Sequence, residues 1–72
     1  LRKTGFSIKE DSHVSLKVFD ILGNEVESLV NEYIPAGVYS YTFNASNLAS
    51  GLYIYSLKSK DFAVTKKMML TK

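Results

Sequence analysis

The chain has no cysteine and no tryptophan, and only one proline and one histidine among 72 residues. Without cysteine no disulfide can staple the fold, and a chain of this length buries only about 60% of the surface that its unfolded form exposes. The core must be thin, held by apolar packing alone or helped by a neighbour. A metal centre needs several His, Cys or carboxylate ligands, which His13 alone does not supply, so neither a metal nor any other cofactor is expected. No run approaches the roughly 18 apolar residues of a spanning helix, so membrane insertion is not expected. No segment has the make-up of a signal peptide. The chain opens on Leu1 rather than methionine, which reads as one domain, residues 1–72, cut from a longer polypeptide.

Charge is scarce overall at +2 but unevenly spread. Residues 1–55 carry four basic against six acidic side chains, and residues 56–72 carry five lysines against Asp61 alone. Clustered lysines attract phosphate in nucleic-acid-binding proteins. Lysines on a terminal strand more simply keep it soluble and discourage edge-to-edge pairing, so no nucleic-acid partner is expected.

Helical periodicity is also missing, and the apolar period is two. Phe6 and Ile8 alternate with polar neighbours, and Glu10-Asp11-Ser12 reads as a turn. Val14, Leu16 and Val18 define a half-buried strand from His13 to Phe19. Asp20 to Asn24, with Gly23, has the chemistry of a turn: an Asp side chain folds onto nearby N–H groups, while Gly and Asn tolerate positive φ. A strand is expected over Glu25 to Val30, a loop over Asn31 to Gly37, and strands over Val38 to Phe43, Leu52 to Lys58 and Phe62 to Thr71. Six short strands with turn signals every 8 to 12 residues describe an all-β fold, a small antiparallel β-sandwich or barrel. In the last strand the alternation Phe62, Val64, Lys66, Met68, Leu70 sets a lysine among core residues. Either a bulge near Lys66-Lys67 turns the charge outward, or the strand lies at an edge.

The segment LASGLYIYSLKS, residues 48–59, carries apolar bulk on both faces, which suits a strand central in its sheet. Gly51 permits a sharp corner into it, and Leu48 can plug the end of the core. Tyr53 is a candidate for a tyrosine corner, its hydroxyl bonding back to the chain just upstream, with Tyr55 a half-buried surface tyrosine. The rival reading gathers Tyr33, Tyr39, Tyr41, Tyr53 and Tyr55 into a sugar-stacking platform.

Enzymatic chemistry finds little support. His13 opens a strand with no triad partner nearby in sequence. Glu25 and Glu27, two apart on one strand, read as solvated surface charge, and Asp20 with Asn24 falls short of the six to eight oxygen ligands that calcium takes.

The succession HVSLKVFDILGNEVESLV, then PAGVYSYTFNASNLASGLYIYSLKS, then DFAVTKKMMLTK resembles the type A C-terminal sorting domain of the bacterial type IX secretion system. That group is related to the immunoglobulin-like module of the flagellar hook-cap protein, which implies that the all-β fold is a small antiparallel immunoglobulin-like β-sandwich of about six to seven strands. The likeness covers Phe6 to Lys72 and rests on ordered blocks: Asp20 with Gly23 and Val26, then Pro35-Ala36-Gly37, then Leu48-Ala49-Ser50-Gly51 with Tyr53, then the Lys66-Lys67 strand. It implies an address label and not a catalyst. Such domains follow an N-terminal cargo that crosses the inner membrane and folds in the periplasm. An outer-membrane translocon recognises them, a cysteine-peptidase-like sortase removes them, and the cargo reaches the cell surface or is secreted. Lys66, Lys67, Met69 and Lys72 are the candidate recognition residues, open to strand addition or an acidic partner surface. Two departures stand out. No Asn-Pro-Phe-Asn-Pro-like segment precedes the first strand, which puts that strand in doubt and leaves an edge open to homodimerisation. Lys60 also occupies a hairpin position where the family tends to have glycine. The alternative is an immunoglobulin-like spacer or carbohydrate-binding module of a multidomain surface protein.

Overall fold

Val14, Leu16 and Val18 alternate with polar neighbours and demand a cover on one side, and in the computed structural model each is at most 1% exposed. The structure describes residues 2–60 and 62–71. Six strands follow one another: β1 (Arg2–Ile8), β2 (Ser12–Asp20), β3 (Glu25–Ile34), β4 (Gly37–Phe43), β5 (Gly51–Lys58) and β6 (Ala63–Leu70). All pairings are antiparallel. β1 and β4 form a two-stranded sheet, and β3-β2-β5-β6, in that order, a four-stranded one. The architecture is all-β, two sheets sharing a core in the manner of an immunoglobulin-like sandwich.

The core divides along β2. One cluster joins Ile8 to Val14, Leu16, Val30, Ile34 and Leu57, with Phe6, Tyr39 and Tyr41 packed against it. The other joins Val18 to Phe43, Tyr53 and Leu70. The Phe6 ring stacks between those of Tyr39 and Tyr41, at centroid distances of 5.7 and 5.8 Å. Each fully buried Val or Leu contributes about 1.5–3 kcal/mol, and with no disulfide this packing carries the domain.

Two expectations need correction. The segment Asn31 to Gly37 is not a loop: β3 continues to Ile34, whose side chain is 5% exposed, and only Pro35 and Ala36 link it to β4. Alternation is hidden there because β3 is an edge strand. Glu32 stands opposite the buried Val14, yet at the free edge it reaches solvent. The pairing with β2 also shifts register twice, leaving Val26 and Leu29 without opposite residues and adding both side chains to the core. The first strand is present as β1, with an unbroken register from Arg2 opposite Phe43 to Ile8 opposite Gly37. The two options for Lys66-Lys67 resolve as well: β6 pairs with β5 without a register shift and forms an edge of its sheet.

Leu16→Ala should therefore cost about 2–5 kcal/mol, the range for a fully buried leucine, and Val38→Ala, 86% exposed on β4, no more than about 0.5 kcal/mol. Urea denaturation of the two variants checks the contrast.

Candidate functional site

Three of the sequence blocks meet at one end of the sandwich. β2 closes at Asp20 opposite Tyr53, and β5 opens at Gly51 opposite Leu70 of β6. The Asp20 turn, the entry to β5 and the end of β6 are thus neighbours, although more than forty residues separate the first from the last.

The turn is built by Asp20. Its Oδ1 accepts hydrogen bonds from the backbone N–H of Leu22 and of Asn24, both at 2.9 Å, and Oδ2 accepts one from the Asn24 side-chain amide at 3.2 Å. The backbone closes the same loop, with the Gly23 N–H donating to the Asp20 carbonyl at 3.1 Å. Gly23 sits at φ 90°, in the left-handed region that glycine adopts without strain. The Asn24 N–H, more than any other group, holds the Asp20 carboxyl below the ordinary aspartate range. Desolvation opposes this, while the Asn24 side chain and the N–H groups of Leu22 and Gly23 reinforce it.

The entry to β5 is a closed corner. The Leu48 N–H donates to the Ala45 carbonyl at 3.0 Å, and the Leu48 side chain packs against the Val18, Phe43, Tyr53 and Leu70 cluster. Gly51 has φ 154°, with no heavy atom within 4 Å of where a Cβ would lie, so a substitution there strains the backbone without a clash. Tyr53, 8% exposed, donates its hydroxyl to the Ala49 carbonyl at 2.9 Å. The phenol fills the core and satisfies its one polar atom on the chain that leads into the corner.

The tyrosines do not gather into a platform. Tyr53 and Tyr55 lie on the core face of β5, and Tyr39 and Tyr41 on the core face of β4. The Tyr39 hydroxyl donates to the Pro35 carbonyl. Tyr33 alone is strongly exposed, 69%, on the outer face of β3 opposite His13. Tyr55 is half-buried against both core clusters and not a surface residue. Neither is there a carboxylate pair: Glu25 lies opposite Phe19 and bridges to Lys17 at 3.1 Å, while Glu27 lies opposite Val18 across a register shift.

On β6 the register sets Lys66 opposite Tyr55, Lys67 opposite Ile54 and Met69 opposite Leu52. Lys66 therefore stands on the core side of the edge strand and Lys67 with Met69 on the outer side; all three are exposed. Lys72 lies outside the described residues. The outer side holds one residue that the sequence reading passed over: Phe19, half-buried opposite Ile54, forms with Ile54 and Lys67 a row across β2, β5 and β6. Its odd position beside the buried Val14, Leu16 and Val18 was the available signal. Lys60, in the hairpin before β6, has no positive φ and pairs with Glu10 at 3.3 Å, so this hairpin does without a glycine there.

A family model described as the secretion system C-terminal sorting domain matches residues 2–71, nearly the whole chain. No curated protein and no solved structure matches the chain.

Two outcomes follow from the corner and the turn. Gly51→Val should destabilise by about 1–3 kcal/mol through backbone strain and Tyr53→Phe by about 1 kcal/mol. The double variant should lose less than the sum, because both residues serve one corner; denaturant titration of all three decides. Because the Asp20 carboxyl is lowered in the folded state, its contribution is fully present above the ordinary aspartate range and is lost as pH falls through the lowered value. Thermal midpoints from about pH 6 to pH 2 should show the advantage of the wild type over Asp20→Asn shrinking with acid.

Proposed function

The chain belongs to the family of secretion system C-terminal sorting domains, signals for type IX secretion, and from that membership we propose that the edge strand β6 is the part the secretion machinery reads. The domain directs export across the outer membrane to the cell surface or beyond, and is recognised by the secretion machinery. The reading is carried by one observation: β6 is an edge strand that presents Lys66, Lys67 and Met69 to solvent while Met68 and Leu70 pack into the core. Side chains available to a partner and side chains needed for folding share the same eight residues.

On this reading the domain is a label carried behind an N-terminal cargo. It folds in the periplasm, offers β6 to the outer-membrane translocon, and is removed by a sortase-like peptidase. The family is one of sorting signals and not of enzymes, so on this reading the domain acts by being recognised. A spacer or sugar-binding role has no comparable support, since the tyrosines it would use are spread over both sheets.

The test is a reporter with an N-terminal export signal, fused ahead of this domain in a host with type IX secretion. The unaltered fusion should reach the surface. Lys66→Glu with Lys67→Glu should cut delivery while leaving stability within about 0.5 kcal/mol, as for other exposed side chains. Met68→Asp with Leu70→Asp should abolish delivery by unfolding the domain. A charge-reversed fusion that is folded and delivered normally would show that β6 is only a solvated edge.

A further inference from the structure

The two sheets are unequal, and the shortfall falls beside β6. Two strands, β1 and β4, lie against four, and with strands about 4.8 Å apart the smaller sheet cannot cover the inner face of the larger. The free edge of β1, from Thr4 to Ser7, looks across a slot of about 220 Å³ whose floor is Tyr55, Phe62, Val64 and Lys66. The three apolar side chains there are only half-buried.

The charges of β1, Arg2 and Lys3, stand at its start, and the stretch Thr4 to Ser7 that borders the slot carries none of the usual defences of an edge. β3 is broken by two register shifts and carries Glu25, Glu27 and Glu32, and β6 carries adjacent lysines. β1 pairs with β4 in unbroken register, has no proline, and at Gly5 has no side chain to cover its backbone. Unpaired N–H and C=O groups on such an edge template a further strand. Among the described residues Lys66 is the one charged side chain lining the slot, and it has no carboxylate partner there.

We propose that the slot takes an extended segment of a partner protein, which adds to the β1 edge as a third strand of the smaller sheet. Alternate apolar side chains of that segment rest on Tyr55, Phe62 and Val64, and a carboxylate pairs with Lys66. A second copy of this chain does not suit: β1 and β4 carry no acidic residue, β6 would bring lysine to lysine, and the acidic β3 is bulged. The identification of the partner as a component of the secretion machinery rests on the sorting reading; the slot and its chemistry do not.

The probe is a fluorescein-labelled nine-residue peptide alternating valine and threonine with a central glutamate, and a twin with lysine in its place, titrated by anisotropy against the reporter fusion. Saturable binding of the glutamate peptide is expected, with the lysine twin weaker by about tenfold or more. Lys66→Glu should reverse that order and Lys67→Glu, on the opposite face, should leave it unchanged. Lys66→Gln should abolish the preference, and it serves if the charge reversal lowers the thermal midpoint. In the secretion assay Lys66→Glu alone should reduce delivery. Absence of saturable binding, or equal effects of the Lys66 and Lys67 reversals on the peptide preference, overturns the proposal. Failure of the unaltered fusion to be delivered would instead overturn the sorting reading, with the titration still deciding the slot.

Discussion

The antiparallel pairing of β2 with β5 is the constraint on which the rest of the molecule hangs. These are the two strands bonded on both sides, and their contacting faces hold Val14, Leu16, Val18, Tyr53 and Leu57. Opposite residues such as Leu16 and Leu57 lie in register, so a one-residue slip would send the whole apolar set to solvent. With no disulfide to restrict the unfolded chain, that register is held by turn chemistry at the ends of the two strands. The Asp20 carboxylate ends β2 and the Tyr53 hydroxyl anchors the entry to β5, and Asp20 lies directly opposite Tyr53.

The thinness of the core has a second consequence. A sandwich of two strands against four leaves four free edges and an incompletely covered inner face. Three different solutions appear along those edges. Bulges and carboxylates disrupt β3, lysines guard β6, and a tyrosine stack braces β1 and β4 from within through Phe6, Tyr39 and Tyr41. The β1 edge facing β6 is regular and uncharged at its centre, and it adjoins Lys66, which stands on the core side of β6. Secretion through recognition of a folded domain asks for this combination: a scaffold that stands without a partner and a surface that is not yet complete.

How far the sequence revealed this depends on which faces of each strand are covered and on how far along the chain each residue's partners lie. β2 was readable at once, because one of its faces is buried and the other is more open to solvent, so Val14, Leu16 and Val18 alternate with polar neighbours. The Asp20 turn was readable because its carboxylate acts on residues two and four positions along, within the reach of local reasoning. The Tyr53 hydroxyl also acts over four residues. The far end of β3 was hidden: Asn31, Glu32 and Tyr33 are all exposed at an edge, and the bulges at Val26 and Leu29 break the period that would have revealed the strand. The pairing of β1 with β4, and with it the slot, lay beyond any local signal, since the partners Phe6 and Tyr39 are joined only by tertiary packing.

Adjacent lysines on an edge strand also tie recognition to folding in a way that composition alone does not convey. In an unfolded chain Lys66 and Lys67 have no fixed faces. Once β6 is in register with β5, Tyr55 sets Lys66 on the core side and Ile54 sets Lys67 on the outer side. Met68 and Leu70 make that register cooperative with the buried cluster of Val18, Phe43 and Tyr53. A partner that needs a cation on one defined face of β6 therefore reads the folded state and not merely the presence of lysine. On the sorting reading, a domain that has lost its β2–β5 register loses its address by the same event, because the charge that identifies it is placed by the core that stabilises it.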